Sequence, residues 1–361
     1  MMSPHSSRRR SGTSLSLALL VLACALAAAA ALPRHGSAAP SARSLARLGA
    51  GGATRAASGT AGSKRASYVG GPTVTASGAT VDVRVSASFP DAVDRVHRWA
   101  EFFAALPHGP ELSNVVITVV TGAELSSACR ADALGCYRPG DLTFADEPLD
   151  GVSPEEVARH EYGHHVAENR INSPWPAVDW GPKRWATAVG VCADVKTGTA
   201  FPGDEGANYT SNPGEAWAEV YRILAERTAG LPANLWSIVV GRYFPDDAAL
   251  AAAREDVINP WQSMTTHRYA GRFVKGGKRT WQRTLATPLD GNITVRLSMP
   301  VGPRHDVALY TADGHTLLGR WGAFTTRTRT ISTTICGQRS VQVRVTRGTA
   351  TGLFAVAVTA P

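Results

Sequence analysis

Apolar and polar positions first alternate at Val81, Val83 and Val85, with Asp82, Arg84 and Ser86 between them; this period of two predicts a half-buried strand. From Pro90 to Leu106 the spacing becomes helical. Val93, Val96, Trp99, Phe102 and Phe103 gather on one face, and the aromatics read as core. Val115 to Val120 is a short buried strand, and Asp141-Leu142-Thr143-Phe144 is a second at a sheet edge. Ser153-Pro154-Glu155-Glu156 opens a helix: Ser153 is an N-cap, Pro154 suits the first helical position, and Glu156 completes a capping box. That helix runs to about Asn169. No period is evident from Ile171 to Asn212, which reads as a long loop whose tryptophans pack structurally. A helix starts again at Asn212-Pro213 and runs to about Thr228, and Leu235–Tyr243 and Asp246–Val257 carry further helical patterns. From about Gly276 short β-like runs take over, separated by Asp290-Gly291, Asp313-Gly314 and Thr351-Gly352, which predicts an all-β sandwich of about eight strands.

The 361 residues are long enough for more than one domain. Arg8, Arg9 and Arg10 precede an apolar run from Leu15 to about Leu32, and Ser37-Ala38-Ala39 follow as a small-x-small site. This predicts a secretory signal peptide over residues 1–39, hence a secreted, extracellular protein with no stable membrane span after cleavage. Cys24 after Val21-Leu22-Ala23 faintly resembles a lipoprotein box, but the alanines beyond it argue against lipid attachment. Residues 40–72 hold few large apolar side chains and read as a linker or short pro-segment.

The formal charge of +8 changes meaning once it is localised. Residues 1–65 carry nine Lys/Arg and no acid, and the remainder is net −1, so the case for a nucleic-acid partner disappears. Residues 66–277 are net −9 and residues 278–361 net +8. The basic part is thereby a candidate for attachment to an acidic cell surface. Four cysteines outlast the signal. Cys129 and Cys136 lie close together and are the expected disulfide; Cys192 and Cys336 then either join the two halves or stay as buried thiols.

The candidate chemistry sits in the capped helix, at His160-Glu161-Tyr162-Gly163-His164. Residues four apart share a helix face, so His160 and His164 can both face one ion, with Glu161 beside them as a general base for a metal-activated water. Two ligands are too few for a catalytic zinc, which usually takes three from the protein. The extended motif with a third His is excluded by Ala167 and Arg170. Asp179, Asp194 and Asp204 are possible third ligands without a clear frame; Glu215, at the start of the next helix, is better placed. Glu219, one turn on, is a candidate to accept a hydrogen bond from the far nitrogen of a ligating His, with ligation by Glu219 itself left open. His165 points about 100° away from His164 and is not expected to be a ligand. His97 and His108 read as structural or surface residues, and calcium binding by Asp146, Glu147 and Asp150 stays open.

His160-Glu161-Tyr162-Gly163-His164 and Glu215-Ala216-Trp217-Ala218-Glu219 together resemble the two motifs of gluzincin-type zinc metallopeptidases. The resemblance implies an α+β zincin-like peptidase domain over residues 73–277. It also implies Zn²⁺ on His160, His164 and Glu215, Glu161 as base, Glu219 behind the ligands, a Tyr near the metal to stabilise the oxyanion, for which Tyr209 is the candidate, and a protein or peptide substrate. Ala286-Thr287-Pro288-Leu289-Asp290-Gly291, Cys336-Gly337-Gln338-Arg339 and Gly352-Leu353-Phe354-Ala355-Val356 resemble the pre-peptidase C-terminal type of β-sandwich, which implies an attached module over residues 278–361. Two rivals stand beside this reading: a secreted surface- or glycan-binding protein on a degenerate peptidase scaffold, and a structural metal site. An intact Glu161 counts against the first, and the usual filling of all four positions by protein counts against the second.

Overall fold

The computed structural model describes residues 67–361, except 235, 237, 303, 322, 325 and 326 and the side chains of 323 and 324. The signal peptide, Cys24 and residues 40–66 lie outside the described residues. The chain mixes helices with sheets in an α+β arrangement. Two disulfides, Cys129–Cys136 and Cys192–Cys336, fit an oxidising compartment. Among the described residues no helix is long and apolar enough to cross a membrane.

The first part begins with strands β1 (Tyr68–Val74) and β2 (Thr80–Ser86), then helix α1 (Ala92–Ala105), strand β3 (Val116–Val120) and helix α2 (Gly122–Ala128). Strands β4 (Gly135–Arg138) and β5 (Asp141–Ala145) complete a five-stranded sheet in the order β1-β2-β3-β5-β4. The inner pairs β2–β3 and β3–β5 are parallel, and the outer strands β1 and β4 run antiparallel to their neighbours. Strand β1 starts at Tyr68, inside the stretch expected to be a linker, because all seven of its residues pair with β2.

Helix α1 buries Val96, Trp99 and Phe103, and the aromatic cluster extends to Phe144 of β5, whose ring lies 4.6 Å from that of Trp99. Val93, expected on the apolar face, instead points to solvent. Helix α3 (Pro154–Glu168) follows, with its predicted capping box intact: Ser153 Oγ accepts from the Glu156 N–H, and Glu156 Oε2 accepts from the Ser153 N–H at 3.0 Å. It is buried continuously from Val157 to Ala167, on its polar as well as its apolar positions, so it runs through the middle of the core.

The stretch from Ile171 to Asn212 is not one long loop. It folds into α4 (Ala177–Trp180), α5 (Lys183–Ala188) and α6 (Val191–Thr197), too short for a periodic pattern to register. Gly181, Gly190 and Gly198 take positive φ at the junctions. Trp185 is fully buried, and Trp175 stacks on Trp180 at 4.5 Å, so these rings pack as expected. Helix α7 (Pro213–Thr228) and helix α8 (Asp247–Ile258) complete this part. Among the described residues of 235–243, only a 3-10 turn at Gly241–Tyr243 stands where a helix is expected. A side chain of α7 takes the carbonyl that such a helix would use first: Arg222 donates to the Asn234 carbonyl, while Glu219 accepts from the Trp236 N–H at 3.0 Å.

Helices α3 and α7 cross at the motif itself. A Cβ on Gly163 would lie 2.9 Å from the Ala218 Cα, and Trp217 Nε1 donates to the Gly163 carbonyl at 2.8 Å. Replacing Gly163 by Ala is therefore expected to destabilise the protein by about 1–3 kcal/mol despite the better helix propensity of Ala, because the clash is with backbone. Urea denaturation of the two proteins measures this.

The second part is a pair of antiparallel sheets around their own apolar core. Its strands are β6 (Thr265–Phe273), β7 (Thr280–Ala286), β8 (Gly291–Ser298), β9 (Asp306–Thr311), β10 (Leu317–Arg320), β11 (Ala323–Phe324), β12 (Thr328–Ile335), β13 (Ser340–Thr346) and β14 (Gly352–Ala360). The sheet orders are β10-β9-β13-β7 and β11-β12-β8-β14-β6. Strand β6 precedes the expected boundary at 278 yet pairs along its whole length with β14, which puts it in the sandwich. The two parts are joined by Cys192–Cys336 and by polar contacts. Buried Lys183 donates to the carbonyls of Ser173 (2.7 Å) and Asp290 (3.0 Å), and Arg339 donates to the Thr187 carbonyl at 3.0 Å.

Candidate metal centre

Helix α3 presents His160 and His164 on one face, with ring centroids 5.1 Å apart. Helix α7 brings Glu215 to them from its first turn, where Asn212 caps the helix by accepting from the Gly214 N–H at 3.0 Å. Glu215 Oε2 lies 3.2 Å from His160 Nε2, and Oε1 lies 3.4 Å from His164 Nε2. Zinc is commonly held by imidazole nitrogens and a carboxylate oxygen at about 2.0–2.2 Å, so residues of these types gathered this closely are candidate ligands. The candidate ligand atoms of the three side chains all lie within 4.8 Å of one another, and all three residues are buried.

The electrostatics suit the same use. Burial lowers the pKa of His160 to about 3 and of His164 to about 4, so both rings are neutral at pH 7 and offer lone pairs rather than protons. The His–Glu contacts are therefore not ion pairs. Burial also raises the carboxyl of Glu215, while His164, Tyr209 and Glu205 act against that rise. Glu161 is fully buried and its pKa is pushed well up, chiefly by desolvation and then by Glu215 and Glu205. Neither of its oxygens meets a hydrogen-bond partner among the described residues, an expensive state for a polar group unless something in the cavity completes it.

Strand β4 explains how Glu161 is housed. A Cβ at Gly135 would lie 2.7 Å from Val157 Cγ1 and 3.0 Å from Glu161 Cγ. The bare glycine lets the edge strand settle onto α3 directly over the acid.

The remaining expected residues fall into different places. Tyr209 reaches the site, but its hydroxyl donates to Glu215 Oε2 at 2.6 Å, so it steadies the candidate ligand. Glu219 lies close enough for its charge to oppose the fall in the His160 pKa. Its carboxylate nonetheless does not take the far nitrogen of that ring: it accepts from Arg222 Nε at 2.8 Å, from Arg222 Nη2 at 2.7 Å and from the Trp236 N–H. The expected hydrogen bond is missing because Arg222, fully buried three residues on, claims both oxygens; His160 Nδ1 has no partner among the described residues. Asp194 pairs with Arg242, and Asp204 is held by the Gly206 N–H and Asn208; neither these nor Asp179 joins the donor cluster. His165 is structural: one nitrogen lies 2.9 Å from the Glu111 carbonyl and the other 3.2 Å from the Tyr137 hydroxyl. For calcium, Asp146 is taken by Arg95 and Arg98, and Glu147 by the Gly122 N–H.

Sequence reasoning missed Glu205. It sits in the turn before Tyr209, accepts from Asn212 Nδ2 at 3.0 Å, and is pushed up to about 9 by burial and by Glu215. Its neighbours are polar and aperiodic, so no pattern marked it. Trp236 was missed as well; its indole lies 5.5 Å from the His160 ring and carries the Arg222 guanidinium 4.2 Å over its face.

A pH dependence follows for the metal-free chain. Glu205 has a folded pKa above its unfolded value, so its contribution to stability is complete below about pH 4.5 and is lost as pH rises towards about 9. His160 and His164 act oppositely, but only below about pH 6.5, where the unfolded chain takes up protons that the folded one refuses. Lys183, lowered to about 8, opposes the trend only above that pH. Between about pH 6.5 and 8 the melting temperature of chelator-treated protein is thus expected to fall with rising pH, and saturating zinc is expected to flatten the slope. Thermal scans across that range check this.

Two of the three comparisons with known proteins return nothing: no family model matches the chain, and no curated protein matches it. Among solved structures the chain is similar to the pre-peptidase C-terminal domain of collagenase from Bacillus anthracis. The identity is 16%, over 26% of this chain and 88% of that one, with a TM-score of 0.22.

Proposed function

We propose that this protein is a secreted zinc-dependent peptidase. The observation that carries the reading is the pairing of a clustered donor set, His160, His164 and Glu215, with a fully buried carboxyl, Glu161, whose two oxygens meet no donor among the described residues. Bound Zn²⁺ supplies Lewis acidity, lowering the pKa of a water to ~7 and polarising a carbonyl. Glu161 takes the proton of the attacking water at a carboxylate oxygen and passes it to the leaving amine. Tyr209 holds Glu215 in its ligating orientation, and Glu219 with Arg222 braces the helix behind His160. Strand β4 supports a peptide as substrate: it is the last strand of its sheet, pairs on one side with β5 and lies over Glu161 at Gly135, which puts a sheet edge beside the base.

The test is metal analysis of the exported protein together with cleavage of a generic protein substrate, with and without chelator. One zinc per chain is expected, with cleavage abolished by chelation and restored by Zn²⁺. A protein that binds no zinc, or whose cleavage is indifferent to chelation, overturns the reading.

A further inference from the structure

The sandwich carries a second surface that the peptidase reading does not use. Residues 265–361 contain 14 Lys/Arg and three acidic residues, whereas residues 67–264 contain 14 and 26. Two of the three acids are answered by arginines: Asp290 is buried against Arg339 at 2.7 Å, and Asp306 lies 3.3 Å from Arg329. The third, Asp313, is held inside its own turn by Thr311 and the His315 N–H.

The outer face of the β10-β9-β13-β7 sheet holds two of these arginines in one cleft of about 360 Å³, with Tyr310, Arg320, Trp321 and Arg344 in its lining. Its shape follows from register. Arg320 of β10 and Arg344 of β13 both pair with Ala308 of β9, so the two arginines flank a residue too small to fill the space between them. At a strand spacing of about 4.8 Å their Cα atoms stand about 10 Å apart. Arg344 is held in place: its guanidinium lies 4.3 Å over the Tyr310 ring and donates to Gln342 Oε1 at 2.9 Å and to the Gly314 carbonyl at 3.2 Å. Two spaced cations, one of them fixed, are suited to an anionic polymer.

We infer that this cleft binds an acidic polysaccharide, one bearing carboxylate or sulfate groups. The aromatic faces argue against single-stranded nucleic acid. Tyr310 is covered by Arg344, and Trp321 by Arg329 at 4.1 Å, so neither ring is an open stacking platform for bases. Asp306 and Thr346 also line the cleft, where a carboxylate and a hydroxyl suit sugar hydroxyls. This inference is independent of the metal centre.

The experiment measures binding of the full chain to two probes, heparin oligosaccharides and oligogalacturonates, near physiological salt, with a DNA oligonucleotide as comparison. Arg320→Ala/Arg344→Ala is expected to weaken glycan binding by about tenfold or more. The control is Arg268→Ala/Arg296→Ala, which removes the same charge from the other sheet, where both residues pair with Ala357. It is expected to weaken binding by less than about threefold. Thermal melts confirm that each variant is folded, and Arg320→Glu alone serves if the double variant is not. Equal losses from the two double variants, tighter binding to DNA than to either glycan, or no glycan binding overturns the inference.

Discussion

Replacing Glu161 by Gln is expected to leave one zinc bound per chain and to remove nearly all peptide-bond cleavage. The substitution preserves volume and a hydrogen-bonding end group, so α3 should keep its course under Gly135. It removes the group that shuttles the proton, a role worth about 10²- to 10⁴-fold in rate. Glu161 is not among the three clustered donors, so metal content should not follow activity down. Metal analysis and turnover measured on the same preparation check both halves. A Glu161→Gln protein with wild-type turnover would sink the proposed mechanism.

The second large effect concerns the metal itself. Glu215→Ala is expected to weaken zinc binding by more than about 100-fold, since loss of even an outer partner of a metal ligand costs about 10- to 100-fold. The structure commits the other expected ligands elsewhere and leaves Glu161 and Glu205 as the acids beside Glu215. Glu219 is tied to Arg222 and the Trp236 N–H, and Asp194 and Asp204 are committed elsewhere. Equilibrium zinc titration against a competing chelator reads the change. Unaltered affinity would mean that the third ligand is not Glu215.

Much of the candidate site was legible because its elements are local. The capping box needs only Ser153 and Glu156, and the two imidazoles need only four-residue spacing on one helix. The alternating valines of β2 and the aromatic face of α1 are equally local, and both appear. Expectations failed where a distant side chain competed for the backbone, as in the stretch before Tyr243, or for a charge, as where Arg222 rather than His160 engages Glu219. Short helices such as α4 to α6 escaped because four to seven residues do not display a period.

By itself the sequence determined the helix that carries His160, Glu161 and His164, the alternating pattern of the sandwich strands, and the opposite charges of the two parts. These depend on neighbours a few residues apart, where backbone geometry dictates who faces whom. Only the tertiary structure decided that Glu215, 55 residues beyond His160, meets it at 3.2 Å. It also decided that Glu205 joins it, and that Arg320 and Arg344 face each other across Ala308. Those meetings depend on packing: α7 approaches α3 closely because Gly163 has no side chain, and strands β9 and β13 align because their buried valines and leucine share one core, against which Leu318 of β10 packs half-buried.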